Sequence, residues 1–281
     1  MPNYANLRQT IWARRLQVAL KKSLVFSDVS NTTYEGEARI GGTVKISQIG
    51  EVAVSDYVAG TDMTFETLDD AQLSMVIDQK KYFAFIVDDT DSVFVQNDLI
   101  GGGVDRGSYK IADGIDSFIA GKYTDAGLSF GSAASPKATS SGTVYQHFLE
   151  FSEVLDEANV PKAGRWAIVP PWIMTKIGLA GIASGLNFNR DIFRDGYVGP
   201  FAGFQKIFVS NNVAQIGGTA HTILASTGTE AIAFATAISG PIRIREAEKQ
   251  RATNVDGLVV YGAKVVRPDM LGVMYSNETD N

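Results

Sequence analysis

Three consecutive glycines, Gly101, Gly102 and Gly103, are the feature of this chain that most suggests chemistry, because glycine-rich loops can wrap a phosphate. A dinucleotide-binding fingerprint that starts at Gly101 requires glycine at position 106, which is arginine. A phosphate-binding loop that starts at Gly102 requires lysine at position 108, which is serine. The spacing therefore argues against a nucleotide site, and the triplet is interpreted as a break ahead of a helix.

The acidic run at 88–91, Asp-Asp-Thr-Asp, could supply oxygen ligands to a divalent cation. The glycine and glutamate that an EF-hand loop needs at fixed offsets are missing. Aspartates also form turns by hydrogen bonding to nearby backbone amides, and we interpret this run as a turn or a helix start.

The usual nucleophiles and metal ligands are scarce. The chain has no cysteine, and its two histidines, His147 and His221, are far apart in sequence. No Gly-x-Ser-x-Gly motif of a nucleophile elbow occurs. We therefore predict that the protein is not an enzyme and carries no metal and no cofactor. A soluble enzyme whose site is built from dispersed carboxylates is the alternative from another class.

Composition indicates a folded protein with a sizeable core: 281 residues, 45 % of them hydrophobic, and a formal charge of −6. No secretory signal is visible at the N-terminus, and no apolar run approaches the roughly 20 residues of a membrane span. Charge is uneven, since residues 1–27 carry five basic residues and no acid, whereas residues 61–116 carry twelve acids and four bases. The overall acidity argues against a dedicated nucleic-acid binder.

Residues 41–58 predict an extended β-hairpin that turns at Gly50-Glu51. Val44 and Ile46 alternate with polar residues on one arm, and Val52 and Val54 do so on the other. The hairpin has one thin apolar stripe, and an isolated hairpin of two strands is marginally stable at best in water. It therefore needs another surface to lie on, from its own chain or from a neighbouring subunit.

The remaining pattern predicts an α+β fold, because helices and strands mix without regular βαβ alternation. A helix over 104–123 carries Gly107, Gly114 and Gly121 near one face, which would permit close approach of another backbone. The apolar run 82–87 predicts a buried strand or the approach to a helix. Other helices are predicted at 7–24 (in part), 144–158, 172–182 and 229–237. Other strands are predicted at 64–68, 73–77, 166–169, 205–209, 222–225, 242–245, 258–268 and 271–275.

Four segments, in this order, carry a family resemblance: residues 78–91, DQKKYFAFIVDDTD; residues 201–213, FAGFQKIFVSNNV; residues 229–235, TEAIAFA; and residues 257–271, GLVVYGAKVVRPDML. Together with the basic arm, the hairpin and the glycine-spaced helix, they resemble the major capsid proteins of tailed bacteriophages, which have the Hong Kong 97 fold. The P22-like coat proteins are the most similar group. The likeness covers nearly the whole chain.

The resemblance implies a division into an N-terminal arm (1–33), an extended hairpin loop (34–62), a peripheral domain with a spine helix (63–130), an axial domain (131–240) and peripheral return strands (241–281). It implies a subunit that forms pentamers and hexamers of an icosahedral head around double-stranded DNA. The expected location is the virion capsid, assembled in the cytoplasm of the host bacterium. An encapsulin-type compartment shell, which shares this fold, is the alternative.

The implied partners are other copies of the chain, a scaffolding protein, a portal and decoration proteins, with non-specific contact to packaged DNA and no membrane. We expect the hairpin to lie across the spine helix of an adjacent subunit, and the arm to dock on an acidic neighbour. The charge-dense turn after residue 242 suits contacts near a symmetry axis. The predicted contact residues are Arg14, Arg15, Val44, Ile46, Val52, Val54, Arg243, Arg245, Glu246, Glu248, Lys249 and Arg251.

Overall fold

A computed structural model describes residues 25–34, 42–49, 54, 56, 70–88, 99–183, 200–239, 242–247 and 251–279. The strands are β1 (Thr43–Ile49), β2 (Asp70–Val76), β3 (Gln79–Asp88), β4 (Leu128–Phe130), β5 (Lys137–Thr139), β6 (Arg165–Val169), β7 (Lys206–Val209), β8 (Gln215–Ile216), β9 (Ala220–Thr227), β10 (Ile232–Ser239), β11 (Arg243–Glu246), β12 (Ala252–Val265) and β13 (Gly272–Glu278). The helices are α1 (Leu99–Ala120), α2 (Val144–Glu157) and α3 (Pro171–Ala183), with short 3-10 helices at Gly121–Asp125 and Pro268–Met270.

Strand β12 is the centre of a four-stranded antiparallel sheet. Strand β3 pairs along one of its edges, and β10 and β11 share the other. One face of this sheet packs on α1, where Val255, Val259 and Tyr261 of β12 meet Ile111 and Ile115 of the helix. The spacing of four residues between Ile111, Ile115 and Ile119 puts these side chains on one face of the helix, which explains why α1 buries only one stripe.

The rings of Phe83 and Phe85 on β3 fit against glycines of α1. A Cβ atom on Gly107 would lie 2.7 Å from Cγ of Phe83, and one on Gly103 would lie 2.6 Å from Cζ of Phe85. Gly257 of β12 contacts the same Phe83 ring, where a Cβ would lie 2.6 Å from Cε1. The predicted close approach therefore occurs at Gly107, to an aromatic ring rather than to another backbone.

A seven-stranded mixed sheet forms the second layer, in the order β4–β13–β9–β6–β7, with β5 beside β13 and β8 beside β9. Helices α2 and α3 cover one face, where Phe148, Phe151 and Ile173 are completely buried. The other face contributes Trp166 and Leu224 to the cluster that also contains the apolar stripe of α1. Helix α1 therefore packs against both sheets.

Arg165, at the start of β6, is only 1 % exposed. Its guanidinium donates to the carbonyl oxygens of Pro161 (3.0 Å) and Val160 and to Oγ of Ser152 (3.2 Å). Its Nη2 also lies 2.7 Å from Oδ1 of Asp156. A buried charge is tolerated only when it is paired and hydrogen-bonded, and these contacts supply both conditions.

The two-stranded ribbon of β1 and β2 corrects the predicted hairpin. Strand β1 pairs with residues 70–76, from Thr43 opposite Val76 to Ile49 opposite Asp70, and not with residues 52–58. The predicted turn at Gly50-Glu51 lies outside the described residues, and the connection between the two paired strands spans residues 50–69. We call residues 50–69 the tip segment.

The predicted helix at 229–237 is also wrong, because Ile232–Ser239 is strand β10. Ile232 and Phe234 point into the main cluster while Ala233 and Ala235 point to the opposite face, and pairing with β12 determines this outcome. The structure confirms the helices at 144–158 and 172–182 and the helix over most of 104–123. It also confirms the strands at 73–77, 166–169, 205–209, 222–225, 242–245 and 271–275, and the strand at 258–268 as far as Val265. The predicted helix at 7–24 and strand at 64–68 lie outside the described residues.

The predicted domain limits do not coincide with the division between the sheets. Strand β10, assigned to the axial domain, belongs to the four-stranded sheet, whereas β4 and β13, assigned to the peripheral domain, belong to the seven-stranded sheet. The chain therefore crosses between the two layers more often than a division by sequence order implies.

Replacing Gly107 by alanine should destabilise the subunit by about 1–3 kcal/mol, because the Phe83 ring is held between Gly107 and Gly257 and cannot move away from the new methyl group. Gly114→Ala is the matched control, since a Cβ there meets nothing within 4 Å and the helix gains up to about 1 kcal/mol from the better propensity of alanine. Urea unfolding of the unassembled subunit measures both. Equal effects of the two substitutions would contradict the packing argument.

Asp156→Asn should destabilise the subunit by about 1–2 kcal/mol, a modest amount because Asp156 is partly exposed although its partner Arg165 is buried. Hydrogen bonds from Lys162 first, and then from Arg165, lower the pKa of Asp156. The pKa of Asp156 is lower in the folded state than in the unfolded state. The stabilisation is therefore present above the ordinary pKa of 3.8 and is lost as the pH falls through the folded-state pKa. Urea unfolding at several pH values should show that the difference in the free energy of unfolding between wild type and variant disappears at acidic pH. The exposed Glu153→Gln on the same helix is the control and should show no such difference.

Candidate subunit interface

The outer face of the four-stranded sheet, opposite α1, carries exposed apolar side chains. Along β3, Phe83 and Phe85 turn toward the helix, so Tyr82 and Ile86 turn outward, where they are 76 % and 54 % exposed. Leu258 of β12 is 40 % exposed and lies directly opposite Tyr82 in the register. Tyr82, Ile86 and Leu258 form what we call the outer patch.

The ribbon of β1 and β2 covers the other half of this face. Val44, Ile46 and Met75 of the ribbon pack on Val260, Ala233 and Ala235 of the sheet. Gly262 permits this contact, because a Cβ there would lie 2.5 Å from the carbonyl oxygen of Val76. The ribbon of the same chain thus covers one half of the outer face of the four-stranded sheet, and the other half is exposed at the outer patch.

Charged side chains surround the outer patch. Lys80 of β3 and Arg243 and Arg245 of β11 occupy outward register positions, and all three are exposed. Nη2 of Arg245 donates to Oδ1 of Asp256 at 2.7 Å, with both side chains partly exposed, so this pair adds little stability. Asp88 is the outward acid at the far end of β3. Positive charge therefore dominates beside Tyr82 and Leu258.

The predicted contact residues divide into three groups. Val44 and Ile46 are 1 % and 5 % exposed, because the ribbon packs them on its own sheet, and their contact with another subunit stays a prediction. The exposed residues, for which contact with a neighbour stays a prediction, are Val54, Arg243, Arg245, Glu246 and Arg251. The residues outside the described part of the chain are Arg14, Arg15, Val52, Glu248 and Lys249.

The outer patch was missed in the sequence because residues 82–87 were interpreted as a continuous apolar run. Of the two predicted alternatives, a buried strand or the approach to a helix, the strand is confirmed, but its burial is wrong, because one face lies on α1 and the other is exposed. The available signal was the period of two, which places Tyr82 and Ile86 on the same face.

The glycine triplet and the first residue of the acidic run lie in regular secondary structure. Gly101–Gly103 lie within α1, so the interpretation of the triplet as a break ahead of the helix is wrong, and the ring of Phe85 packs against Gly103. Asp88 ends β3, and the rest of the acidic run lies outside the described residues. In the described ranges, no three His, Cys, Asp or Glu side chains are grouped to hold a metal ion, and no helix there is long and apolar enough to span a membrane.

The histidines lie at partly buried positions near one end of the seven-stranded sheet. Nδ1 of His147 lies 3.0 Å from Oγ1 of Thr139, which in turn lies 2.7 Å from Oγ of Ser276. The ring of His221 lies beside that of Trp172. Burial lowers the pKa of both histidines, so both are predominantly neutral at pH 7.

Comparison with known families gives one match. The family model described as phage capsid protein matches residues 71–271, which is well over half of the chain. That range contains the four-stranded sheet, α1, the outer patch and every strand of the seven-stranded sheet except β13, which begins at Gly272. A comparison with curated proteins found no match.

Solved structures with the same fold cover nearly the whole chain. A protein of Mycobacterium phage Che8 is 27 % identical, with a TM-score of 0.74 over 89 % of this chain and 90 % of that chain. A chain from the capsid of Cyanophage P-SCSP1u is 16 % identical, with a TM-score of 0.70 over 91 % and 89 %. A virus-like particle from Pyrococcus furiosus is 14 % identical, with a TM-score of 0.58 over 92 % and 95 %.

Proposed function

The chain belongs to the phage capsid protein family, and on that basis we propose how its subunits hold one another in the shell. It is a major capsid protein with the Hong Kong 97 fold, it resides in the virion capsid, and it assembles with copies of itself into an icosahedral head. The match of the family model to residues 71–271 is the observation that carries this assignment.

We propose that the tip segment of one subunit docks on the outer patch of a neighbouring subunit. The tip segment contains five acids, Glu51, Asp56, Asp62, Glu66 and Asp69, and no basic residue. Basic Lys80, Arg243 and Arg245 lie beside the outer patch. Complementary charge of this kind guides association and discriminates against wrong partners.

Apolar complementarity supports the same contact. Val52, Val54 and Val58 alternate with small or polar residues in the tip segment, and Val54 is 98 % exposed. An exposed apolar patch with a polar rim is typical of an interaction site. Docking would remove both surfaces from water and would extend the cover that the ribbon already gives to the other half of the sheet face.

This proposal refines the expectation that the hairpin lies across the spine helix of a neighbour. The exposed face of α1 offers one large apolar side chain, Tyr109, at 61 % exposure, among Asp105, Arg106 and Lys110. The outer patch offers three apolar side chains on one face of one sheet, with Tyr82 opposite Leu258 and Ile86 four residues farther along β3. The larger apolar area favours the patch, since burial contributes roughly 25 cal/mol per Å².

Ile86→Glu should reduce the yield of closed shells by at least about tenfold, because it places a charge in the proposed contact opposite an acidic segment, and small losses per contact multiply over a closed shell. Shell yield is measured by gradient sedimentation and negative-stain microscopy. Tyr109→Glu is the matched control on α1 and should leave the yield unchanged. Reduced yield from Tyr109→Glu together with normal yield from Ile86→Glu would place the contact on the spine helix. Normal yield from both variants would exclude both surfaces as the docking site.

We also propose that the N-terminal arm docks on an acidic surface of a neighbour through Arg14 and Arg15. The support is the charge pattern, with five basic residues and no acid in residues 1–27. Arg14→Glu with Arg15→Glu should strongly reduce shell yield in the same sedimentation assay, whereas Arg14→Lys with Arg15→Lys, which keeps the charge, should reduce it little. Normal yield from the Glu variant would rule out arm docking.

Further proposals concern assembly geometry and partners. We propose that rings of five and six subunits tile the shell, because contacts between unlike surfaces close into rings. Arg243, Arg245, Glu246 and Arg251 are proposed to lie near a symmetry axis, together with Glu248 and Lys249. A scaffolding protein, a portal and decoration proteins are proposed partners, as is packaged double-stranded DNA through non-specific contact.

We propose that the role is structural and not catalytic. Negative-stain microscopy of the expressed protein tests the assignment directly, because hollow shells of uniform size are expected. A monomer of about 30.2 kDa that never assembles, or one with turnover of a substrate, would contradict it. The encapsulin alternative predicts shells that enclose a cargo enzyme, so protein analysis of purified shells distinguishes it from a phage head.

A further inference from the structure

Residues 25–31 form the root of the N-terminal arm, and three sets of contacts attach this root to the body. Phe26 is 1 % exposed and packs in the cluster shared by α1 and both sheets. The backbone N–H of Asn31 donates to the carbonyl of Ile232 at 2.8 Å, and the N–H of Phe234 donates back to Asn31 at 2.9 Å. The root therefore pairs alongside β10 through a short bridge and inserts one aromatic ring into the core.

The third attachment is a buried carboxylate. Asp116 of α1 is 2 % exposed, and it accepts hydrogen bonds from the backbone N–H groups of Val25 (3.4 Å) and Phe26 (3.3 Å). The side chain of Asn212, in the connection between β7 and β8, also hydrogen-bonds to Asp116. This one side chain thus joins the arm root, the spine helix and the seven-stranded layer.

The surroundings of Asp116 disfavour its charged form. Within the described part of the chain, no Lys, Arg or His forms an ion pair with it, and both backbone hydrogen bonds are long. Desolvation by burial, with a smaller contribution from the like charge of Asp113, raises the pKa of Asp116 to about 6 against the opposing effect of the two backbone amides and Asn212. The root carries one other carboxyl group, Asp28, whose pKa is also raised by burial, and residues 210–214 of the β7–β8 connection carry no titratable side chain.

We propose that protonation of Asp116 controls how firmly the root of the N-terminal arm is attached to the body. With the root in place, the carboxyl group is cut off from water and is more stable when neutral. A neutral carboxyl keeps an oxygen that accepts from a backbone amide and gains an O–H that can donate to Asn212. When the root leaves, water reaches Asp116 and stabilises the ionised form.

The direction of the pH effect follows from linkage. The attached state has the higher pKa, so attachment is most favourable below the ordinary value of 3.8, weakens as the pH rises through about 6, and is weakest at neutral pH. A difference between 3.8 and about 6 corresponds to a change of about 100-fold in the attachment equilibrium when the released carboxyl is fully hydrated. The arm is therefore released more readily at pH 7 than at pH 5.

Hydrogen exchange with mass spectrometry on the full chain, as unassembled subunits and as shells, tests this. Protection factors of peptides that cover residues 25–31, corrected for intrinsic exchange, should fall about 10- to 100-fold between pH 4.5 and 7.5 in the wild type. Asp116→Asn should show no such fall, because its side chain does not titrate. Asp105→Asn, at an exposed position on the same helix, is the matched control and should behave like wild type.

Asp113→Asn provides a test that does not depend on the folding of Asp116→Asn. It removes the neighbouring negative charge, so the loss of protection should begin at a lower pH than in the wild type. The proposal is overturned when wild type and Asp116→Asn show the same pH dependence, when protection of the root rises with pH, or when Asp113→Asn leaves the transition where it is.

Discussion

Helix α1 buries its apolar stripe against two sheets at once, and this packing holds the two layers in one body. Ile111 and Ile115 meet strand β12 of the four-stranded sheet in the same cluster that contains Trp166 and Leu224 of the seven-stranded sheet. The glycines at 103 and 107 let the rings of β3 approach the helix closely. Close packing of this kind transmits small displacements, because interiors are dense and not readily compressed.

The four-stranded sheet shows why a shell subunit is incomplete when it is alone. Its inner face is covered by α1, and half of its outer face is covered by the ribbon of β1 and β2. Tyr82, Ile86 and Leu258 remain exposed on the other half. An antiparallel sheet can present one face to water, but that face is normally polar, and the apolar character of this half is the reason we propose it as a surface for assembly.

Local patterns in the sequence predicted those elements in which the spacing of apolar residues within one segment is enough to identify the buried side. Helix α2 was predictable because Val144, Phe148, Phe151 and Leu155 define its buried side without reference to the rest of the chain. Pairing was not predictable to the same degree, since the partner of β1 is 21 residues beyond its end and the turn signal at Gly50-Glu51 indicated a nearer one. Strand β10 was assigned as a helix because alanine-rich spacing suits both structures, and only its pairing with β12 decides between them. The family resemblance identified the fold, but Asp116 and the outer patch depend on contacts between distant segments.

The position of β13 has a consequence for the order in which the polypeptide folds. Strands β4 and β5 pair only with β13 among the described residues, although more than 130 residues separate them from it along the chain. During synthesis, residues 128–139 therefore leave the ribosome long before their partner exists, and the middle of the seven-stranded sheet remains open until residues 272–278 arrive. Contacts of such long sequence separation fold slowly and leave strand edges exposed to other nascent chains. A cell that makes many copies at once would need to keep these unfinished subunits apart until each chain is complete.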